Sequence, residues 1–480
     1  MRRHPVDHRG GFGRRALALC LVAGILVLLG AACAARTGTV RSDAATSPPA
    51  AQSPALPPSD GLRIGAARLD ISPTKSVMMG GYGVYFISRV FCRWSQGVHD
   101  PLYATALFLQ KGDQAVLFIS LDLVGLVAPD VDDLRAAVAA RVPIPADRVV
   151  VSSNHPHHGP DTIGLWGTLL PPLSGRDESY MRFMKDQAAR AAEDAYRSAR
   201  PAKLYYAVGE LAGPHQNTLA KTVPDAPIDH TLTVLRAVDG DGKTIATLTN
   251  WACHPTTEGE DNRLISSDWV GGFYKWMAAK VDGVPMYVNG SIGASIQPFD
   301  PERELYAEGH HFIWTDVMGR RVAEAAAALL PKMTEADVDS IACASATFSF
   351  PMRNKVYRAA GQLGLMPYRV PKVGQPLSSR VTAARVGPIR FGTVPGEIAP
   401  RLGNKVREAL GGSAQVIVGL GQDWLGYIID PAQYADKRYS YEKMLCAGPE
   451  LGPAVVQAHQ ELAAQAAQAD APLPVAANGN

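Results

Sequence analysis

Cysteine is scarce in this sequence, and the few cysteines are far apart. Six of the 480 residues are cysteine, and no CxxC pair occurs. Closely spaced thiolates are the usual ligands of structural zinc sites, so the sequence does not predict a cysteine-bound structural zinc. Internal repeats are also absent, which argues against a solenoid or propeller.

The sequence also lacks a strong net charge and a hydrophobic run of transmembrane length. Its formal charge is +2, and five arginines with one aspartate precede Cys33, so the rest of the chain is slightly negative. Proteins that bind nucleic acid usually carry a basic patch, so we expect no nucleic-acid partner. The uncharged apolar stretch Ala16–Gly30 is shorter than the roughly 20 residues that span a bilayer.

The first 33 residues have the form of a secretory signal, with arginines before the apolar stretch and small residues after it. Gly30-Ala31-Ala32-Cys33 also resembles a bacterial lipoprotein cleavage box, in which the cysteine becomes the lipidated first residue. We therefore expect a protein that is secreted or anchored to the cell envelope, with a membrane surface as partner where Cys33 is lipidated. Because export permits disulfides, we also expect Cys92 to pair with Cys446.

Composition divides the rest of the chain into a linker, one large domain and a tail. Residues 34–61 are dominated by Ala, Ser, Thr and Pro, which predicts a disordered linker. Residues 62–450 alternate β-branched runs with stretches of helical periodicity. This pattern predicts a single large α/β domain of mixed and parallel sheets flanked by helices. A helical and then disordered tail is expected over 451–480.

One βαβ unit can be identified near the middle of this domain. Residues 116–123 are typical of a strand, 130–142 have apolar residues at helical spacing, and 148–153 are again typical of a strand. Three histidines follow the second strand directly. The histidine cluster therefore lies at the carboxyl end of a parallel strand, where open α/β sheets bind their ligands.

Neutral imidazole is the commonest transition-metal ligand and a common general base, so this cluster is a candidate site. Side chains alternate along an extended backbone, so His155 and His157 point to one face and His158 to another. A buried histidine is also often a satisfied core residue, and at this point the structural and functional interpretations both remain open.

Two further ligand-type residues follow predicted strands. The strand at 243–250 leads to His254, and the strand at 388–394 leads to Glu397. Each residue alone is as consistent with a structural histidine or a surface carboxylate as with a ligand. Together with the histidine cluster, they put ligand-type side chains at the ends of three predicted strands.

In order along residues 62–450, a series of motifs resembles the amino-terminal catalytic domain of the neutral, non-lysosomal ceramidases. These are secreted or membrane-associated zinc amidases that cut ceramide into sphingosine and fatty acid. The motifs are Asp70-Ile71, Met79-Gly80, Val98 to Ala104, Ser120-Leu121-Asp122, His155-Pro156-His157 with Gly159-Pro160, Trp251 to His254, Pro395-Gly396-Glu397 and Gly426-Tyr427.

The resemblance implies one zinc ion per chain. The ligands that it implies are His155, His254, Glu397 and Tyr427. It further implies that His157 takes a proton from zinc-bound water and returns it to the leaving amine. Tyr439 would face the developing oxyanion, with Tyr441 as a close rival. Such nitrogen and oxygen ligands suit zinc, which lowers the pKa of bound water to about 7.

The sequence departs from the family pattern in several places. The family has Gly-Asp-Val-Ser-Pro-Asn where this chain has residues 293–298, so the aspartate is absent and Ser295 is shifted by one position. The contact of the family serine is therefore not carried over. The active-site arginine has no clear counterpart around Gln216 to Lys221, and His158 stands where the family has a serine. We also expect the immunoglobulin-like domain that follows in ceramidases to be absent.

These features predict an exported zinc-dependent amidase that hydrolyses the amide bond of ceramide or a related N-acyl lipid to an amine and a fatty acid. The apolar loop from Met78 to Phe86 is expected to contact the acyl chain. Two alternatives remain: an exported lipid-binding protein with a structural zinc, and a zinc hydrolase of a non-sphingolipid ester or amide.

Overall fold

The computed structural model describes residues 56–84, 89–223, 226–300, 312–367 and 375–469. The predicted signal peptide with Cys33, most of the predicted linker and the end of the predicted tail lie outside these residues. Within the described ranges, no helix has the combination of length and apolarity that crossing a membrane requires.

The described elements alternate between strands and helices along much of the chain. The strands are β1 (Ser59–Asp70), β2 (Gly97–Val98), β3 (Tyr103–Gly112), β4 (Gln114–Leu121), β5 (Val149–Ser153), β6 (Thr168–Leu169), β7 (Pro172–Leu173), β8 (Arg200–Glu210), β9 (His215–Asn217), β10 (Thr231–Asp239), β11 (Thr244–Trp251), β12 (Leu264–Ile265), β13 (Val284–Asn289), β14 (Ile296–Pro298), β15 (Thr334–Glu335), β16 (Ile341–Pro351), β17 (Pro376–Val386), β18 (Ile389–Thr393), β19 (Glu397–Ile398), β20 (Ala414–Val418) and β21 (Tyr427–Ile428). The helices are α1 (Ala128–Ala139), α2 (Glu178–Arg197), α3 (Trp269–Ala278), α4 (Ile313–Leu329), α5 (Lys355–Gln362), α6 (Pro400–Leu410), α7 (Pro431–Ala435), α8 (Ser440–Met444) and α9 (Leu451–Ala469).

A nine-stranded mixed sheet forms the centre of the fold. Its strand order is β13-β11-β10-β8-β1-β3-β4-β5, and β15 pairs with β8 outside this path. The pairs at the two ends, β11–β13 and β4–β5, are parallel, whereas the strands between them are antiparallel. The predicted βαβ unit is confirmed as β4, α1 and β5. The predicted class, an α/β fold of mixed sheets flanked by helices, is confirmed as well.

Helices cover one face of the large sheet and a second sheet covers the other. Apolar residues of α1 and α2 pack against β3, β4 and β5. The four-stranded sheet β16-β17-β18-β20 packs on the opposite face, where Phe118 of β4 contacts Phe391 of β18 with ring centroids 4.5 Å apart. The alternation of side chains along these strands therefore fills two separate apolar layers.

The two end strands of the large sheet lie side by side. Ser120 of β4 donates a hydrogen bond from its hydroxyl to the carbonyl oxygen of Tyr287 in β13 at 2.6 Å. Asn289, the last residue of β13, donates from its side chain to the carbonyl oxygen of Asn154 at 2.9 Å, one residue beyond β5. The sheet is thus curled so far that strands at its opposite ends present their carboxyl termini together.

The helix predicted after Pro453 is present as α9, and it contributes to the core. Leu451, Val455 and Leu462 are buried in one apolar cluster with Phe350 of β16 and Val406 of α6. The folded part of the chain therefore continues past residue 450 and includes this helix.

The expected disulfide between Cys92 and Cys446 is wrong. The four cysteines among the described residues are all free thiols. The Cys446 thiol donates a hydrogen bond to the carbonyl oxygen of Gly448 at 3.3 Å, and the Cys92 thiol donates to that of Gly167 at 3.9 Å. Buried thiols with backbone partners behave as small core side chains, which sequence spacing does not reveal.

Helices α3 and α4 approach each other so closely at Gly319 that a Cβ there would lie 2.4 Å from the backbone of Gly272 and Phe273. We predict that Gly319→Ala lowers the free energy of unfolding by roughly 1–3 kcal/mol, because the helices must separate. Helix propensity alone would make the alanine variant more stable by about 1 kcal/mol. The sign of the change in unfolding free energy therefore shows whether the two helices are in close contact at Gly319. Urea denaturation measures the change, and Glu324→Ala on the exposed side of α4 is the matched control. Unchanged or increased stability of Gly319→Ala would contradict this close approach.

Candidate metal centre

His155 lies in the turn that follows β5, with its ring held by the backbone. Its φ of 71° is in the left-handed region, which non-glycine residues rarely adopt outside functional sites. The backbone nitrogen of His155 donates to Leu123 O at 2.9 Å, and the ring Nδ1 donates to Val124 O at 2.5 Å. Because Nδ1 carries the proton in this bond, Nε2 has a free lone pair when the ring is neutral.

His254 is oriented in the same manner. It follows β11, is fully buried, and donates from Nδ1 to Ile296 O at 2.6 Å. The backbone nitrogen of His254 also donates to Ile296 O, at 3.0 Å. In addition, Trp269 donates from its indole nitrogen to the carbonyl oxygen of His254 at 3.0 Å. The Nε2 lone pair of His254 therefore also points away from these backbone contacts and into the interior.

Glu397 and Tyr427 are neighbours in the short parallel sheet β19–β21, where they are partners in register. Gly426 precedes Tyr427 with a φ of 72°, and a side chain there would collide with the carbonyl oxygen of Leu445. The Tyr427 hydroxyl is hydrogen-bonded to the Glu397 carboxylate. The Pro-Gly-Glu and Gly-Tyr motifs are thus two adjacent strand starts, which explains why a glutamate and a tyrosine 30 positions apart meet.

The carboxylate of Glu397 faces both histidines. Its Oε2 lies 3.1 Å from His254 Nε2, and its Oε1 lies 3.4 Å from His155 Nε2. Burial raises the pKa of Glu397, but attraction to His155 and the bonds with His254 and Tyr427 outweigh burial, so the net shift is downward. Burial lowers the pKa of His155, which favours its neutral form. The Nε2 atoms of His155 and His254 therefore both face the Glu397 carboxylate, and a proton or a metal ion must lie between them to offset the repulsion of their lone pairs.

These residues fit a zinc ion. Acceptor atoms that face one another are repulsive unless a cation lies between them, and a single shared proton would satisfy only one of the two contacts. Ligands that surround zinc tetrahedrally at about 2.0–2.1 Å are about 3.3 Å from one another. The distances of 3.1 and 3.4 Å from the Glu397 oxygens to Nε2 of His254 and of His155 match that separation.

His157 is also part of this cluster. The ring nitrogens of His155, His157 and His254 lie within 4.8 Å of one another, close enough to hold one metal ion. The Nε2 atoms of His157 and His155 are 3.1 Å apart, and Nδ1 of His157 is buried without a hydrogen-bond partner among the described residues. Burial lowers the pKa of His157 well below its usual value, and the neighbouring histidines lower it further. The geometry therefore suits both a neutral proton acceptor and a third nitrogen ligand.

His158 points away from the centre, as predicted, but the predicted reason is wrong, because residues 155–158 lie in a turn and not on an extended strand. Its Nε2 donates to Glu258 O at 2.9 Å, and Nε2 also lies 3.4 Å from an oxygen of Asp268. The ring of Tyr82, from the segment after Gly81, packs edge-on against His157 with centroids 4.9 Å apart. Tyr82 therefore shields His157 from solvent on one side.

The loop expected to contact an acyl chain is only partly described. Met78 and Met79 are buried, and their backbones bridge to Trp94 and Pro160, so these two residues belong to the core. Tyr85 and Phe86, also part of the expected contact, lie outside the described residues.

The two candidate oxyanion donors differ in position. Tyr439 is buried in an apolar cluster that also contains Tyr427 and Ile429. The ring of Tyr441 lies 5.9 Å from that of Tyr427, and the residue is 42% exposed. The pKa of Tyr441 is raised, first by burial of its hydroxyl and then by the charges of Glu397 and Glu442. The hydroxyl of Tyr441 therefore faces the carboxylates of the centre, while the rest of the residue reaches the surface.

Ser295 and Glu442 complete the centre, and neither was identified from the sequence as part of it. Ser295 donates from its hydroxyl to Glu442 Oε1 at 2.7 Å and is also hydrogen-bonded to Tyr427. Because Ser295 is shifted by one position relative to the family pattern, the contact of the family serine was not carried over to it. In the structure Ser295 has a left-handed φ of 57°, and its side chain is buried beside Glu442 and Tyr427. The glycine- and serine-containing composition of this turn was the available signal.

Comparisons with known proteins agree with the family resemblance found in the sequence. Residues 62–287 match the family described as neutral/alkaline non-lysosomal ceramidase, N-terminal. The chain is 25% identical over 194 residues to the neutral ceramidase of Pseudomonas aeruginosa, a match that covers 38% of this chain and 29% of that protein. It is 27% identical over 141 residues to neutral ceramidase A of Dictyostelium discoideum, covering 27% of this chain and 20% of that protein. The matched segments thus span less than a third of either relative.

The structural similarity extends further than the sequence similarity. The crystal structure of neutral ceramidase from Pseudomonas aeruginosa superposes with a TM-score of 0.70 and 19% identity, covering 88% of this chain and 77% of that chain. At this identity the superposition establishes the fold. Together with the sequence match over residues 62–287, it confirms the resemblance of this chain to the neutral/alkaline non-lysosomal ceramidases.

Proposed function

We propose that this protein is a zinc-dependent amidase that hydrolyses ceramide or a related N-acyl lipid to an amine and a fatty acid. The observation that carries the proposal is the convergence of two backbone-oriented imidazoles on one ionised, buried carboxylate, with donor spacings of 3.1 and 3.4 Å. The proposed ligands are His155, His254, Glu397 and Tyr427. The names of the relatives are consistent with this substrate class.

When bound, zinc would supply a Lewis acid that polarises the amide carbonyl and acidifies water. The residues of the chain supply the remaining steps. His157 is neutral because burial lowers its pKa, so it can accept a proton at Nε2 and return it to the leaving amine. The Tyr441 hydroxyl, or that of its rival Tyr439, donates a hydrogen bond to the developing oxyanion. Tyr82 limits the access of bulk water to His157.

An exported lipid-binding protein with a structural zinc is the competing function. A binding protein has no need of a proton acceptor beside its metal ligands, whereas an amidase does, and the buried His157 is placed to be one. We therefore favour the enzyme. Export, either secreted or anchored to the envelope at Cys33, agrees with a lipid substrate and is part of the same proposal.

The metal site is tested by metal analysis of the purified protein. We predict one zinc ion per chain in the wild type. His155→Ala and His254→Ala should each reduce the zinc content strongly, because each removes one of the four ligands. His99→Ala is the control, since His99 lies outside the histidine cluster and should leave the zinc content unchanged. Wild-type protein without zinc, or His155→Ala with a full complement of zinc, would refute the site.

The role of His157 is tested separately. We predict that His157→Ala retains zinc but lowers kcat by about 10²–10⁴-fold, the usual contribution of a general acid or base. Zinc content and turnover of an N-acyl amide should be measured on the same preparation. Loss of zinc as large as in His155→Ala would instead identify His157 as a third nitrogen ligand. Turnover at the wild-type rate would rule out the proton-transfer role.

Substrate preference is tested by comparing ceramide with a simple N-acyl amine of equal acyl length. Because residues 293–298 differ from the family segment, we predict a modest ceramide preference, of the order of the 10–200-fold that apolar contacts give per methylene. The ratio of kcat/KM for the two substrates measures it. A preference of about 10⁴ or more is typical of sites that hydrogen-bond a substrate hydroxyl and would contradict this expectation.

A further inference from the structure

Glu442 of α8 is a buried carboxylate that has no role in the mechanism described above. The residue is 1% exposed, and its Oε1 accepts the hydrogen bond from the Ser295 hydroxyl at 2.7 Å. Its Oε2 is buried and has no hydrogen-bond partner in the described part of the chain. A buried, half-satisfied carboxylate destabilises a fold, so its presence beside a candidate metal centre requires a functional reason.

The Ser295 hydroxyl donates its proton to Glu442, which determines what Ser295 can offer to Tyr427. A serine hydroxyl has one proton, and when Glu442 accepts it, the Ser295 oxygen is left as an acceptor. The Tyr427 hydroxyl is hydrogen-bonded to this oxygen and also lies within hydrogen-bonding reach of Glu397. Without a metal, the Tyr427 proton points to Glu397. When this proton turns to Ser295 instead, the phenol oxygen lone pair and the Glu397 carboxylate are both free to face a cation.

The backbone around Ser295 is strained in a way that serves this arrangement. Ala294 and Ser295 have successive left-handed φ values of 59° and 57°, and such residues persist only where the surrounding structure holds them. The next residue, Ile296, accepts the Nδ1 hydrogen bond of His254 at 2.6 Å. One short turn therefore orients two proposed ligands, Tyr427 through a side chain and His254 through a carbonyl oxygen.

We propose that Glu442 is a positioning residue of the metal centre: through Ser295, it directs the Tyr427 proton away from the centre so that the phenol oxygen faces the cation. This inference rests on the proposed zinc site. Residues that hydrogen-bond to metal ligands typically change metal affinity by about 10–100-fold when they are replaced.

The test measures the zinc dissociation constant of the full chain by competition with a chelator. Glu442→Ala and Ser295→Ala each break the chain of hydrogen bonds to Tyr427. Glu442→Gln keeps an oxygen acceptor for Ser295. Glu450→Gln is the matched control, because Glu450 lies in the same region but pairs with Arg353 near the surface. The thermal midpoint of the metal-free protein is recorded for every variant.

We expect Glu442→Ala and Ser295→Ala each to raise the zinc dissociation constant by about 10–100-fold. Glu442→Gln should lie closer to the wild type, and Glu450→Gln should match it. The double variant Ser295→Ala/Glu442→Ala should bind zinc no more weakly than the weaker-binding single variant, because both replacements interrupt the same chain of hydrogen bonds to Tyr427.

Wild-type zinc affinity in both Glu442→Ala and Ser295→Ala would overturn the inference, as would additive losses in the double variant. If Glu442 had a purely structural role, its replacement would lower the thermal midpoint of the metal-free protein and leave the zinc dissociation constant unchanged. That result would also contradict the inference. If Glu442→Ala fails to fold, the zinc dissociation constants of Ser295→Ala and Glu442→Gln test the inference in its place. Failure of the proposed function is recognised separately, since in that case the wild type itself would not bind zinc.

Discussion

The side chain of Asn289 is the constraint on which the candidate metal centre depends. Its amide donates to the carbonyl oxygens of Asn154 and Cys253 at 2.9 and 3.2 Å, and these residues immediately precede His155 and His254. The two histidines follow strands near opposite ends of the nine-stranded sheet, so only the curled sheet can bring them together. A single buried amide, at the end of the last strand, fixes the separation of both ligand-bearing turns.

Asp122 is a second buried polar group that holds the turn before His155 in place. Asp122 accepts hydrogen bonds from Asn154 at 2.7 Å, from the Tyr274 hydroxyl at 3.0 Å and from the backbone of Tyr103 at 2.9 Å. Burial raises the pKa of Asp122 to about 6, although these bonds oppose the shift. A buried carboxylate with three donors is acceptable because its lone pairs are satisfied, and it then fixes Asn154 in place.

The residue pattern alone predicted the local parts of this site, whereas the expectation that His155, His254 and Glu397 come together rested on the family resemblance. Strand ends at His155, His254 and Glu397 were visible as β-branched runs followed by Gly or Pro, and the βαβ unit around the histidine cluster was found as predicted. Curvature of the sheet and the role of Asn289 were not predictable, because they depend on contacts between residues far apart in the chain. The Ser295 contact was missed because a positive φ at a non-glycine residue has no reliable signature in a single sequence.

The way the ligands are held also explains how the segment at 293–298 can differ from the family pattern without loss of the site. Val124 and Ile296 orient the two histidines through backbone carbonyl oxygens, which every residue type provides. Substitution of side chains in this segment therefore leaves the imidazole orientation intact as long as the turn is kept. Recognition of a substrate depends instead on side-chain groups, which change with each substitution. The proposed metal ligands are accordingly held in a way that is more tolerant of sequence change than side-chain recognition of a substrate would be.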